Sequence, residues 1–91
     1  VNIDLQACYR RRYDVRKRRF ADHIYLIRDG SIFEMDEFSN DVWRLCDGSQ
    51  TVLHTITVMK DRFPDVDSLR IAGLALYTIE FFVEHRLAAA E

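Results

Sequence analysis

The sequence predicts an α+β fold, a small winged helix-turn-helix with an N-terminal three-stranded antiparallel sheet followed by three helices. Three observations carry that reading. Strand-like runs fill the chain up to about residue 35 and helical periods fill the rest, Asp29-Gly30 separates two of the strand-like runs, and a short bend at Pro64-Asp65 separates the last two helical stretches.

The elements follow in order. Residues 1–12 show no clean period and read as an N-terminal tail or a variable first strand. Between Asp14 and Phe20, Val15 and Phe20 bracket charged residues, the composition of a half-exposed strand. His23 to Arg28 is a clearer strand, with Ile24 and Leu26 on one face and His23, Tyr25 and Ile27 on the other. Asp29-Gly30 supplies the two positive-φ residues of a type I′ turn, so Ser31 to Met35 returns antiparallel. Asp36 is placed to cap a helix carrying Phe38, Val42, Leu45 and Cys46 at i, i+4, i+7 and i+8, with Gly48 to end it. Thr51 opens a second helix with Val52, Ile56, Met59 and Phe63 on one face, and Pro64 marks its end. Asp65 or Asp67 opens the longest helix, which runs to about His85. The compact domain is therefore expected over 13–88, with 89–91 as a C-terminal tail.

The last helix carries two apolar stripes where one would bury it. Ala72, Ala75, Leu76, Ile79, Phe82 and Val83 form the first, and Ile71, Leu74, Thr78, Phe81 and His85 the second. From periodicity alone, the second stripe is further core, a dimer contact or one wall of a groove facing Ser31 to Met35.

Composition narrows the function. A chain of 91 residues folds as one domain whose core is too small to surround a deep active site as well. No apolar run approaches the roughly 20 residues of a membrane span, so no membrane partner and a cytoplasmic location are expected. Cys8 and Cys46 are too few for a disulfide framework and form no C-x-x-C pair. His23, His54 and His85 lie on different elements without ligand spacing, so neither a metal site nor a cofactor is expected. The acidic pairs have capping duties, and there is no phosphate-binding glycine loop or nucleophile motif, which speaks against an enzyme.

The net charge of −2 hides an asymmetry: residues 1–19 hold seven basic residues against two acidic ones. Arg16, Lys17, Arg18 and Arg19 could attract an acidic partner, an acidic peptide included, or could simply be a solvated strand face. A winged-helix DNA-binding regulator is the natural alternative function. Against it, the last helix carries one base, Arg70, and three acids, Asp67, Glu80 and Glu84, and would meet a phosphate backbone with repulsion. Nucleic acid is therefore disfavoured. A dimerisation module, a homodimer built on the edge strands or the two-striped helix, is the other alternative.

The stretch Phe33 to Ile56 resembles the PqqD-like family of small peptide-binding domains, also called RiPP recognition elements. Met35-Asp36, Val42-Trp43, Asp47-Gly48, Thr51-Val52 and Ile56 stand where that family shows a strand ending in Leu-Asn, an Ile/Val-Trp pair, Asp-Gly, Thr-Val and Ile. Ile79, Phe82 and Leu87 match its closing helix, and the resemblance extends over residues 14–88. Arg86 departs from a frequent Gly and His54 from frequent acids; the first strands are also unlike those of the pyrroloquinoline quinone pathway protein. The resemblance implies the family rather than that pathway.

It implies non-catalytic binding of the leader segment of a ribosomally synthesised precursor peptide, which is presented to a separate maturation enzyme such as a radical SAM, cyclase or protease component. It also implies that the leader adds a strand to the edge Ser31, Ile32, Phe33, Glu34 and Met35. The facing helical positions are then Ile71, Leu74, Thr78 and Phe81, with His85 at the margin.

Overall fold

The computed structural model describes residues 2–91; residue 1 of the expected tail lies outside the described residues. Six strands and three helices run in the order β1 (Cys8–Arg11), β2 (Arg16–Phe20), β3 (His23–Arg28), β4 (Ser31–Met35), α1 (Glu37–Leu45), β5 (Asp47–Thr51), α2 (Val52–Arg62), α3 (Ser68–Glu84) and β6 (Ala88–Ala90). No helix among the described residues is long and apolar enough to cross a membrane.

The wing is the antiparallel sheet β2–β3–β4. Asp29 and Gly30 have φ of 48° and 79°, as a type I′ turn requires, and close the β3–β4 hairpin at Arg28 opposite Ser31. Ile24 and Leu26 of β3 are buried beneath it, and Met35 and Phe33 lie opposite them in register. Every residue of β2 is exposed, so it is less buried than the half-exposed strand its sequence suggested. Its inward-facing cations are instead spent on α1: Lys17 Nζ donates to Asn40 Oδ1 at 2.9 Å and Arg19 pairs with Glu37 at 3.1 Å. Burial, together with nearby Arg44, Arg19 and Arg11, holds the Lys17 ammonium below its usual pKa.

A second antiparallel sheet, β5–β1–β6, was not expected. Asp47–Thr51 is strand rather than the end of a helix, because α1 already stops at Leu45 with Cys46 as its C-cap. The C-terminal tail expected at 89–91 is mostly strand β6, paired with β1 as Tyr9↔Ala90, Arg10↔Ala89 and Arg11↔Ala88. Here β1 explains part of the arginine cluster. Arg11 donates to the Trp43 and Arg44 carbonyls at 3.0 and 2.8 Å and so places a cation at the α1 C-terminus, where the Trp43 carbonyl also accepts from the Cys46 amide. Arg10 pairs with Glu91, and Arg12 and Arg28 both reach the Asp14 carboxylate, which they hold below the usual carboxylate range.

Capping fixes the helix starts. Asp36 accepts from the Ser39 amide at 2.8 Å and Thr51 from the His54 amide at 3.1 Å. Asp67 precedes α3 without a side-chain cap. All three helices pack on one core that contains Val42, Trp43, Ile56, Met59, Ile79 and Phe82, with Trp43 edge-on to Phe82 at 5.1 Å. Cys46 belongs to that core, and burial pushes its thiol up to about 12, so it is an inert packing group.

The end of α3 is a Schellman motif. Leu87 N donates to Phe82 O at 2.7 Å and Arg86 N to Val83 O at 3.1 Å, with Leu87 and Phe82 both buried. This turn sends the chain back along β1 as β6. It requires a left-handed residue at Arg86, whose φ is 58°, and an L side chain there carries strain that glycine lacks. Arg86→Gly is therefore expected to raise stability by about 0.5–1 kcal/mol, read as a higher denaturant midpoint at unchanged slope.

Candidate functional site

β4 is an edge strand, since β3 is its one neighbour in the sheet. The two-residue turn makes Arg28–Ser31 a hydrogen-bonded pair, and antiparallel pairing alternates, so Leu26–Phe33 and Ile24–Met35 are the next such pairs. The main-chain N–H and C=O groups of Phe33 thus point to β3, and those of Ile32 and Glu34 point away from the sheet. Ile32 and Glu34 are the positions at which a further strand could pair.

Side chains alternate in the same register. Phe33 and Met35 face the helices. Ile32, 65% exposed, and Glu34 face solvent, where a Glu34 carboxylate oxygen lies 2.7 Å from His23 Nδ1.

Alongside this edge runs α3, and between them lies a groove of about 330 Å³. Its walls include Glu34 and Met35 from the end of β4, the capping Asp36, Phe38 and Ser39 from α1, and Leu74, Tyr77, Thr78 and Phe81 from α3. The Thr78 hydroxyl donates back to the Leu74 carbonyl at 2.7 Å, so the middle of the helical wall presents mainly hydrocarbon. Towards the turn the groove is filled. Phe33 meets Phe81 edge-on at 5.9 Å and His85 at 5.1 Å, and Phe81 and His85 are 4.3 Å apart.

The structure therefore brings Leu74, Thr78 and Phe81 against Met35, and His85 against Phe33. Ile71 does not line the groove: it is 2% exposed and belongs to the core, one helical turn beyond the groove's end. Ser31 is exposed beside the hairpin turn. Sequence reasoning missed Asp36, Phe38, Ser39 and Tyr77 as lining residues. Tyr77 belongs to neither apolar stripe of α3, and at 69% exposure it is both solvated and at the groove's mouth. The signal for Phe38 was its place in the first turn of a helix that begins directly after the edge strand.

Arg16, Lys17, Arg18 and Arg19 lie on β2, which β3 separates from β4. They do not line the groove, so the acidic-partner contact that their charge suggested would fall outside it. Among the described residues no group of three or more His, Cys, Asp or Glu could hold a metal ion.

Comparison with known proteins places this geometry. The model of the family described as coenzyme PQQ synthesis protein D matches residues 14–87. The chain belongs to the PqqD family. No curated protein matches the sequence. Among solved structures, TbiB1 in complex with the TbiA(beta) leader peptide superimposes with a TM-score of 0.71 at 14% identity, covering 87% of this chain and 93% of that one. At that identity the likeness shows a shared fold. In this PqqD-family chain, the matched segment contains the whole wing and all three helices, whereas β1 and β6 lie outside it.

Proline substitution separates the two kinds of backbone position on β4. Phe33→Pro removes a ladder bond to β3 and a half-buried ring, and is expected to cost about 3–5 kcal/mol of stability. Glu34→Pro removes an outward N–H and is expected to cost less than about 1 kcal/mol. Parallel denaturation curves check the contrast.

Proposed function

We propose that this protein is a non-catalytic peptide-binding domain that holds the leader segment of a ribosomally synthesised precursor peptide by strand addition to β4 and presents it to a separate modifying enzyme. The single observation that carries this reading is an unpaired strand edge, at Ile32 and Glu34, running beside an apolar groove walled by α3. An added strand would satisfy the free main-chain groups, and its inward side chains would enter the groove. Family membership and the fold shared with a leader-bound protein support the same reading.

Backbone pairing supplies affinity for any extended peptide, and the groove selects among peptides. The binding residues under this reading are Ile32 and Glu34 through their main chain, and Met35, Leu74, Tyr77, Thr78 and Phe81 through the groove, with Phe33 and His85 shaping its closed end. The modifying enzyme needs a separate surface. The solvent face of the wing offers one, with Arg16 and Arg18 beside Phe20, Tyr25, Ile27 and Ile32, and an acidic partner suits its charge. The groove makes DNA binding the weaker reading, because the recognition-helix position is occupied by a wall of hydrocarbon and acids.

The test uses synthetic peptides tiling the leaders of short reading frames encoded next to this domain, titrated against the full chain by fluorescence anisotropy. Leu74 is 41% exposed, so Leu74→Asp is expected to leave the fold intact while placing a charge in the groove. Peptide binding should weaken by about 10- to 100-fold, the equivalent of losing one buried aliphatic contact. Phe81→Asp should weaken it as well, but with a loss of stability, because Phe81 packs on Phe33 and Phe82. A folded Leu74→Asp variant that binds the same peptide with unchanged affinity would remove the groove from the mechanism.

A further inference from the structure

The sequence class of the bound peptide is written in what surrounds β4. This inference rests on strand addition to that edge. An added strand alternates like β4 itself, so its residues opposite Phe33 and Met35 face α3, and those opposite Ile32 and Glu34 face solvent.

Each of these four neighbourhoods is chemically distinct. Opposite Met35 the groove is open, and its apolar walls of Met35, Phe38, Leu74 and Phe81 suit a large apolar side chain. Opposite Phe33 the space is taken by the ring cluster of Phe33, Phe81 and His85, which leaves room for a small side chain only. Opposite Ile32, an apolar row is already started by Ile27 in register with it, and an apolar residue would extend that row. Opposite Glu34 stands a carboxylate whose side chain is 57% exposed and whose partner is His23.

Charge points the same way. The residues lining the groove include two carboxylates, Glu34 and Asp36, and no cation. Asp36 is engaged by the Ser39 amide, and Glu37 beside it by Arg19. The cations of β2 that might neutralise this edge are directed elsewhere: Lys17 and Arg19 to α1, and Arg18 to the solvent face two strands away.

We propose that this chain selects peptides presenting four consecutive residues along β4: apolar beside Ile32, small beside Phe33, basic beside Glu34, and large apolar beside Met35. Glu34 is then a specificity-determining residue. A cross-strand pair of opposite charges discriminates modestly, so a Lys-to-Glu exchange at the position facing Glu34 should weaken binding about two- to fivefold. Replacing the large apolar residue by Ala should weaken it about 10- to 100-fold.

The experiment is selection of a displayed random-peptide library on the immobilised full chain, followed by affinity measurements of the selected peptides on the wild type, Glu34→Lys, Glu34→Pro and Leu74→Asp. The expected result is enrichment of Lys or Arg two positions from the apolar residue that continues the Ile27–Ile32 row and adjacent to a large apolar residue. Glu34→Lys should turn that basic preference into an acidic one without changing the large apolar residue. If selected peptides lose binding on Leu74→Asp yet show an acidic or indifferent preference that Glu34→Lys does not move, the proposed sequence class is wrong while groove binding stands. If no peptide is selected, or the selected ones ignore both Leu74→Asp and Glu34→Pro, strand addition fails together with the inference built on it.

Discussion

Phe33 standing edge-on to Phe81 is the contact on which the site depends. It seats the hairpin's edge strand against α3 at one end, with His85 closing over both rings. Since β4 is anchored there, its far end at Met35 and Asp36 can stand away from the helix and leave an open groove. A larger contact along the whole strand would bury the groove. No contact would let the hairpin swing, and the free main-chain groups of Ile32 and Glu34 would no longer stand at a fixed distance from the apolar wall. The type I′ turn contributes to the same end, because it sets the register that sends Phe33 inward and the backbone of Ile32 and Glu34 outward.

The rest of the molecule holds α3 in place for that contact. Phe82, next to Phe81, is anchored in the core by Trp43, and the Schellman turn after α3 ties Leu87 beneath it. From there β6 returns to β1, which also pairs with β5, so the small second sheet braces the C-terminus of α3 and the C-terminus of α1 together. The division of charge fits this plan. Arg10 and Arg11 serve the brace, Arg12 shares Asp14 with Arg28 of the wing, Lys17 and Arg19 tie the wing to α1, and Arg16 and Arg18 remain on the solvent face of the wing.

Much of this could be read from the chain itself. The hairpin was legible because Asp-Gly between alternating runs has one cheap backbone solution, and the helices because Asp36 and Thr51 precede periodic apolar positions. The two stripes of α3 announced a helix with two neighbours. The second sheet was not legible. Asp47–Thr51 reads DGSQT, a turn-like composition, and Ala88–Ala90 has the residues of a helix; both become strands only because β1 pairs with them. A helical wheel also gives an angle without a height. Ile71 shares the stripe of Leu74 and Phe81, yet it lies one turn past the groove and is enclosed by the core. The place of the basic run was hidden for a similar reason, since only the strand order sets it two strands away from the edge β4.

The central claim is that a peptide pairs with the outward backbone of β4. Amide hydrogen exchange, residue by residue, on the full chain with and without the tightest-binding leader or library peptide tests it most directly. In the free protein the Phe33 and Met35 amides, bonded to β3, should exchange slowly and the Ile32 and Glu34 amides fast. Strand addition predicts that Ile32 and Glu34 become protected on binding while Phe33 and Met35 change little. Ile32 and Glu34 amides that exchange as fast in the saturated complex as in the free protein would contradict it.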